Sequence, residues 1–406
     1  MGAPNDTTDS VDGTPHKLRN VRALGIVSLL TDASSELVYP VLPLFLVNVL
    51  GAPVTAIGII ESIAEATASL TKVASGWFSD RTQRRRPLIL LGYSLSNVMK
   101  PLLAITGSWP AVLLLRFADR LGKGIRTAPR DALIADSAPP ELRGRAFGMH
   151  RALDTVGAAI GPIIAWAVLT FVPDGYRTIF WLSAIPGSLA IVVLLLAVRD
   201  RPASPETRGR PRLRFRNLGL PFGVFTTISA VFALGNSSDA MLVLRAQDLG
   251  LAPALIPLSY FTFNVVGASL AMHIGTISDR IGRRPVLVGG FALYAVVYAG
   301  FAAMSSAWAP WVLFALYGVP YAMTEGMARA FVVDLVPPET CATAIGSYTF
   351  ALGLAALPAS SVAGLLWDTV SHTAPFWVSS ALMALAAAAL ALSGRAFKRI
   401  GPHVAA

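Results

Sequence analysis

Long apolar runs separated by short charged loops dominate the chain from about residue 20 onward. Segments without any Asp, Glu, Lys or Arg include 178–198, 285–317, 340–367 and 373–394. Roughly 20 apolar residues are enough for a helix to cross a bilayer, and the second of these segments reaches into another span. The pattern predicts twelve helices, near 21–50, 54–79, 87–106, 109–136, 144–171, 177–198, 218–247, 252–278, 285–305, 308–335, 341–367 and 373–395.

The amino-acid composition indicates that these helices span a membrane. Of 406 residues, 54% are hydrophobic and only 14% are charged, which is too apolar for a soluble protein of this length. The chain is therefore predicted to be an all-α integral membrane protein. The polar first 20 residues show no small-residue cleavage pattern before the first apolar run, so that run is predicted to stay as a span.

The distribution of charge predicts how the chain crosses the membrane. The net charge of +10 comes from basic residues clustered in alternate connections, and the connections near 51, 108, 250 and 306 are almost free of Lys and Arg. This is the positive-inside pattern of a membrane protein, whereas a nucleic-acid-binding protein would carry a basic soluble face. We expect an inner-membrane protein with an even number of spans and both termini cytoplasmic.

The chain repeats itself at an offset of 198 to 203 residues. Asp136 falls on Asp334 at this offset, and Ser34-Ser35-Glu36 matches Ser237-Ser238-Asp239. Parallel repeats of this size are typical of transporters that bind their substrate between two halves. The predicted organisation is a cytoplasmic tail (1–19), a six-helix bundle (20–198), a basic linker (199–217), a second six-helix bundle (218–397) and a second tail (398–406).

The loop after the second predicted helix and the loop after the eighth carry the same motif, G-x-x-S-D-R-x-x-R-R. Together with twelve helices and a basic central linker, this motif resembles the major facilitator superfamily (MFS), in particular its proton-coupled drug and solute antiporters. The first copy has Gln83 where the pattern expects Gly. The resemblance implies two pseudo-symmetric bundles that work by alternating access, and we expect a monomer.

The resemblance also implies a role for the loop motif as a conformational latch that stabilises the outward-open state. Simple topogenic charge is the alternative. The latch residues are Gly76, Asp80, Arg81, Arg84, Arg85, Gly275, Asp279, Arg280, Arg283 and Arg284.

The fifth predicted helix contains a G-x-x-x-G-P run made by Gly157, Gly161 and Pro162. It resembles the motif associated with antiporters of the superfamily, although Ile163 and Ile164 stand where further glycines are common. Close helix packing by small residues explains the run equally well.

Charges inside predicted spans are costly, so they indicate function or mutual pairing. Asp32 and Glu36 share a face of the first predicted helix, and Glu61 and Glu65 share a face of the second. The fourth predicted helix carries a stripe of basic residues that could neutralise these acids. An arginine of this stripe, followed by Gly122 and Gly124, resembles a proton-transfer motif of drug antiporters. Crowded carboxylates favour proton binding, whereas mutual neutralisation is the structural alternative. The residues expected at a central cavity are Asp32, Glu36, Glu61, Glu65, Arg116, Arg120, Lys123, Asp239, Glu325 and Arg329.

These features predict a secondary transporter that exports a small organic molecule in exchange for protons. Uptake of an organic anion with protons, favoured by the basic stripe, and export of a divalent metal remain alternatives. One cysteine and five scattered histidines support neither a disulfide nor a soft-metal site, and no motif of an enzyme is present. We therefore expect no enzyme activity, no cofactor beyond the coupling proton, and no partner beyond the substrate and the lipid bilayer.

Overall fold

A computed structural model describes residues 19–82, 84–139, 142–200, 218–337 and 340–397. The two predicted tails, nearly all of the linker, and Gln83 lie outside these residues. The described part of the chain is helical throughout, apart from short connections. The all-α prediction is confirmed.

Helices of the first half are α1 (Arg19–Val38), α2 (Leu42–Asn48), α3 (Val54–Thr82), α4 (Arg85–Leu102), α5 (Trp109–Ser137), α6 (Arg143–Phe171) and α7 (Tyr176–Ala197). Those of the second half are α8 (Gly219–Gly235), α9 (Asp239–Asp248), α10 (Ile256–Ile281), α11 (Arg283–Ala303), α12 (Ala309–Asp334), α13 (Cys341–Thr369), α14 (Ala374–Leu392) and the short α15 (Gly394–Phe397). In the described ranges, ten segments are long and apolar enough to cross a membrane when α1 joins α2 and α8 joins α9. The remaining long helices, α5 and α12, carry embedded charges.

Two predicted continuous helices are in fact broken. The first span is interrupted between Val38 and Leu42, where Pro40 and Pro43 prevent an unbroken ladder of backbone hydrogen bonds. The seventh is interrupted at 236–238, and the Ser238 hydroxyl caps the new helix by accepting a 3.3 Å hydrogen bond from the Ala240 amide. Each break lies in the first predicted span of its half.

Helix packing repeats the same plan in both halves. In the first half, α1 packs on α6 and α7, α4 packs on α5 and α7, and α3 packs on α5; the equivalent helices of the second half make the equivalent contacts. Between the halves, α3 packs on α13 and α6 packs on α10, which are again equivalent pairs. The duplication seen in the sequence is therefore present in three dimensions.

Turn glycines at equivalent positions show the same repeat. Gly51 ends α2 and Gly250 ends α9, with φ of +60° and +91°, a region that side chains with a Cβ rarely adopt. Gly282 has φ of +91° between α10 and α11, which explains why the loop motif calls for glycine there.

Candidate functional site: a charged central cavity

Two cavities meet between the halves, at the level where the first and seventh spans break. The larger has a volume of about 400 Å³ and the smaller about 180 Å³. Tyr39, Glu65 and Asp239 line both, so the two cavities are adjacent. Every residue that the sequence predicted for the central cavity lines one cavity or the other.

A buried ion-pair cluster joins α3 to α5 at the cavity wall. The Arg116 guanidinium donates a 2.8 Å hydrogen bond to Glu61 and a 3.3 Å hydrogen bond to Asp119. The Arg116 and Glu61 side chains are only 6% and 9% exposed. At Arg116 of the basic stripe, the structure therefore shows mutual neutralisation with Glu61 and Asp119.

Arg120 of the smaller cavity lies 4.0 Å from Asp119, whereas Lys100, Lys123 and Arg126 have no carboxylate within 4.0 Å among the described residues. Lys100 donates to the hydroxyls of Ser34 and Ser35 at 2.8 and 3.0 Å. Arg126 stacks over the Tyr93 ring at 4.4 Å, and its buried Nε and Nη1 atoms have no hydrogen-bond acceptor. Lys123 is exposed to the cavity. These three side chains leave positive charge available in the smaller cavity.

Glu36 and Asp239 are the repeat-equivalent acids of the first and seventh spans, and both face the smaller cavity. Asp239 accepts hydrogen bonds from the hydroxyls of Tyr317 at 2.7 Å and Tyr260 at 3.1 Å. The buried Oε2 atom of Glu36 has no hydrogen-bond donor. Within the described residues, neither carboxylate has a Lys, Arg or His nitrogen within 4.0 Å. Both are therefore embedded acids without a cation partner.

The second half contributes an aromatic wall. Phe232, Phe291, Tyr294, Tyr317 and Tyr321 line the larger cavity, and several of these rings stack or pack edge to face with centroid distances of 4.1 to 5.2 Å. Rings that line a cavity can stack on a planar substrate, and they also pack against one another. The contact between the Tyr294 ring of α11 and the Tyr317 ring of α12 depends on the packing of these two helices.

Glu325 and Arg329 form a 3.1 Å ion pair on α12, and both side chains line the larger cavity while remaining about half exposed. The sequence analysis placed both residues among those expected at the central cavity. The structure places this pair in the cavity wall.

Asp154 is a member of the charged network that sequence reasoning did not place there. Its carboxylate accepts hydrogen bonds from Ser28 at 2.6 Å and Arg151 at 3.1 Å, and it contacts the carboxyl group of Asp32. The signal for Asp154 in the sequence is its position three residues before Gly157 of the glycine motif.

The glycines of the fifth-span motif pack α6 tightly on α1. A methyl group added at Gly157 would lie 2.2 Å from the Leu29 carbonyl oxygen, and one added at Gly161 would lie 2.6 Å from the Leu37 amide nitrogen. Pro162 is buried beside them. The motif thus holds α6 against the stretch of α1 that carries Asp32 and Glu36.

In each half one arginine of the loop motif pairs with an acid of a neighbouring helix, from adjacent positions of the motif in the two copies. Arg85 pairs with Asp136, and Arg283 pairs with Asp334 at 2.5 Å. Arg284 donates to the carbonyls of Leu390 and Ala391. Arg81 lies over the Trp77 ring, whereas Arg84, Asp279 and Arg280 are exposed; Gly76 and Asp80 lie in the last turns of α3, and Gly275 in the last turns of α10. These contacts join neighbouring helices of one half, and the latch role stays a prediction.

Hydrogen bonds between the halves gather at one end of the molecule, which we name the basic-poor end after its loops near Gly51 and Gly250. Asn48 and Gln247 exchange two amide hydrogen bonds of 2.8 and 3.3 Å. Asp368 accepts from the Thr55 amide and hydroxyl, both at 2.7 Å. Asn48 and Gln247 are themselves equivalent residues, 199 positions apart, so the pair lies on the axis that relates the halves.

The opposite end carries the loop motifs, and we name it the basic end. Methyl groups added at Gly144, Gly148, Gly275 or Gly346, near the helix termini there, would meet no atom within 4 Å. These four positions at the basic end therefore have room for larger side chains.

Comparison with known proteins agrees with this architecture. The chain is 36% identical over 355 residues to an uncharacterized MFS-type transporter of Methanocaldococcus jannaschii, covering 86% of this chain and 88% of the relative. It is 24% identical over 290 residues to the multi-drug resistance efflux pump PmrA of Streptococcus pneumoniae, covering 69% and 72%. A bacterial homolog of the human lysosomal transporter Spinster has the same fold, with a TM-score of 0.76, 15% identity and coverage of 95% and 98%.

The model of the Major Facilitator Superfamily matches residues 24–235 and again 222–403, one match for each half of the repeat. The predicted fold, twelve membrane helices in two pseudo-symmetric six-helix bundles, is thereby confirmed. This chain belongs to the Major Facilitator Superfamily and is a multi-pass membrane transporter.

Proposed function

We propose that the protein exports a small organic molecule in exchange for protons. The observation that carries this proposal is the placement of Glu36 and Asp239, two embedded carboxylates at equivalent positions of the repeat, in the cavity between the halves without a cation partner. A carboxylate in a water-poor site is stabilised by taking up a proton or a positively charged group. Each can therefore bind a proton when the cargo is absent.

Exchange of cargo for protons follows if the cargo and the protons exclude each other from the cavity. When cargo occupies the space beside Tyr39, Glu65 and Asp239, a positively charged group on the cargo takes the place of the proton at these acids; when cargo leaves, protons neutralise them. Rocking of the halves then exposes the cavity to the other side. Similarity to an efflux pump supports export as the direction.

Orientation is part of the proposal. Basic loops mark the cytoplasmic side of inner-membrane proteins, so the basic end and both termini face the cytoplasm. Fusion of a periplasmically active phosphatase at the loop near 306 is expected to give activity, and fusion near the C-terminus to give none. The reverse result would contradict this orientation.

Transport itself is tested in proteoliposomes with an imposed pH gradient and a panel of dyes, antibiotics and organic acids. Export predicts that cargo runs opposite to the proton. Glu36→Gln and Asp239→Asn should each remove acceleration of cargo flux by the gradient, while Asp174→Asn, an exposed loop acid, serves as the matched control. Gradient-driven flux that is unchanged in both variants would overturn the proposal.

A second candidate, uptake of an organic anion together with protons, is favoured by a different observation. Lys100, Lys123 and Arg126 line the smaller cavity without an ion pair, and buried nitrogens of Arg126 have no acceptor. The same assay decides, because cotransport predicts that cargo and proton move in one direction.

Metal export receives no support from the geometry. In the ranges that the structure describes, no group of three His, Cys, Asp or Glu side chains is placed to hold a metal ion.

A further inference from the structure

We propose that the cargo is a zwitterion, a small organic molecule with an ammonium group and an anionic group, and that both charged groups bind in the smaller cavity. The inference rests on the proposed export function and names the class of molecule that is exported. Its basis is that acids and cations without an ion pair among the described residues line the same small space of about 180 Å³.

Glu65 and Asp239 form the acidic side of this space, which we name the amine site. Both line the smaller cavity, and neither has a Lys, Arg or His nitrogen within 4.0 Å among the described residues. Asp239 accepts hydrogen bonds from the hydroxyls of Tyr317 and Tyr260, which hold its carboxylate in place and leave it further acceptor positions. An ammonium group of the cargo would donate charge-assisted hydrogen bonds to these acids.

Lys100, Lys123 and Arg126 form the basic side, which we name the anion site. All three line the smaller cavity without a carboxylate within 4.0 Å in the described part of the chain. Arg126 is only 5% exposed, and its buried Nε and Nη1 atoms have no hydrogen-bond acceptor among the described residues. A buried guanidinium with unused donors is costly, so an anionic group of the cargo would stabilise it. A carboxylate suits this position because it can accept two parallel hydrogen bonds from one guanidinium.

Other acids of the smaller cavity do not cancel the charge of the anion site. The ion-pair cluster around Arg116 contains two arginines and two acids, so it is neutral. Asp32 and Glu36 also line the cavity, and two carboxylates are fewer than the three cations of the anion site. Positive charge therefore remains there when both acids are ionised, and it increases when either of them binds a proton.

The larger cavity has no equivalent place for an anionic group in the ranges that the structure describes. Arg329, which lines it, is already paired with Glu325 at 3.1 Å. Glu65 and Asp239 line this cavity as well, so an amine alone could bind there, whereas a zwitterion needs the cations of the smaller cavity. The proposal therefore predicts a difference in affinity between amines and zwitterions.

Isothermal titration calorimetry on the purified protein, without any pH gradient, tests the ligand class. Phenylalanine and glycyl-phenylalanine are zwitterions with different spacings between their charges. Phenethylamine carries the ammonium group alone, 3-phenylpropionate carries the carboxylate alone, and all four compounds have the same phenyl ring. At least one zwitterion should bind at least about tenfold more tightly than either single-charge compound, because it makes ionic contacts at both sites.

Variants that remove one charge should act on one end of the ligand at a time. Arg126→Gln should weaken binding of the better zwitterion and of 3-phenylpropionate at least about tenfold, without weakening binding of phenethylamine. Glu65→Gln should weaken binding of the zwitterion and of phenethylamine, without weakening binding of 3-phenylpropionate. The matched controls Arg22→Gln and Asp174→Asn remove exposed charges that line neither cavity, and they should bind all four compounds as the parent does.

A variant that still binds the compound of the opposite charge is folded, so each variant carries its own folding control. If Arg126→Gln does not fold, Lys123→Gln removes a cation of the anion site that is exposed to the cavity and should show the same selectivity.

The inference is overturned if neither zwitterion binds more tightly than the single-charge compounds, or if the anion-site variants leave zwitterion binding unchanged. It is also overturned if they weaken binding of phenethylamine as much as binding of 3-phenylpropionate, which is the result of a purely structural role. A protein that binds zwitterions in this pattern but moves its cargo in the same direction as the proton would refute the proposed export and leave the ligand class standing. Cargo that runs opposite to the proton without any preference for zwitterions would do the reverse.

Discussion

At the scale of single residues, most of the candidate site follows from the rarity of charge in membrane spans. Glu36, Glu61 and Arg116 are conspicuous in apolar runs, and all three line the cavities. The sequence does not predict which of these charges form ion pairs. In the structure Arg116 pairs with Glu61, whereas Glu36 has no cation within 4.0 Å among the described residues. Partner choice depends on angles between helices, which periodicity does not contain. Asp154 was missed for the same reason.

The buried pair of Glu61 and Arg116 gives a prediction about stability. Glu61→Gln leaves Arg116 with a buried and uncompensated charge, so it should lower the free energy of unfolding by about 3 to 5 kcal/mol. Glu325→Gln breaks a half-exposed pair of similar length and should cost about 0 to 1 kcal/mol. Thermal or denaturant unfolding in detergent compares them, and equal losses would show that the Glu61 pair is not effectively buried.

At the scale of helices, the sequence predicts where spans lie and does not predict where two of them break. Pro40 and Pro43 indicated bending in the first span, but the seventh has no proline at its break, and the cap by Ser238 becomes visible only in the structure. Helix contacts through glycine are similarly hidden. Gly58 of α3 lies so close to α13 that an added methyl group would be 2.2 Å from the Ser360 carbonyl oxygen.

The close approach of α3 to α13 predicts that a larger side chain destabilises the protein at Gly58 and not at Gly148. Gly58→Val should force α3 away from α13 and cost about 1 to 3 kcal/mol, because the obstructing atoms are backbone. Gly148→Val places the same side chain on α6 where nothing lies within 4 Å, so it controls for the helix propensity of valine. A Gly58→Val protein whose melting temperature matches that of Gly148→Val would contradict the packing described here.

At the scale of the whole molecule, the repeat is the part that sequence predicted best. The alignment of Asp136 with Asp334 reappears in two ion pairs with loop-motif arginines, Arg85 with Asp136 and Arg283 with Asp334. The conformational state could not be predicted, because one sequence must support both states of a rocking transporter. Asp368, which closes the basic-poor end by binding the first turn of α3, lies outside every motif in the sequence.

Removing this contact should shift the balance between states. Asp368→Ala deletes acceptors for the Val54 and Thr55 amides, and hydrogen bonds to a charged group contribute roughly 1.5 to 3 kcal/mol each. Since about 1.4 kcal/mol corresponds to a tenfold change in an equilibrium constant, the state open at the basic-poor end should gain at least about tenfold. Spin labels at Gly107→Cys and Trp308→Cys would report a new, longer distance, and an unchanged distribution would exclude Asp368 as a closing contact.

The central claim is that embedded carboxylates couple protons to cargo movement. Liposomes that contain the protein and a trapped pH-sensitive dye test it most directly, once the panel has identified a transported compound. A cargo gradient directed into the liposomes should drive protons out and raise the internal pH, and this change should vanish with Glu36→Gln or Asp239→Asn. Cargo that enters without any change in internal pH would contradict the account.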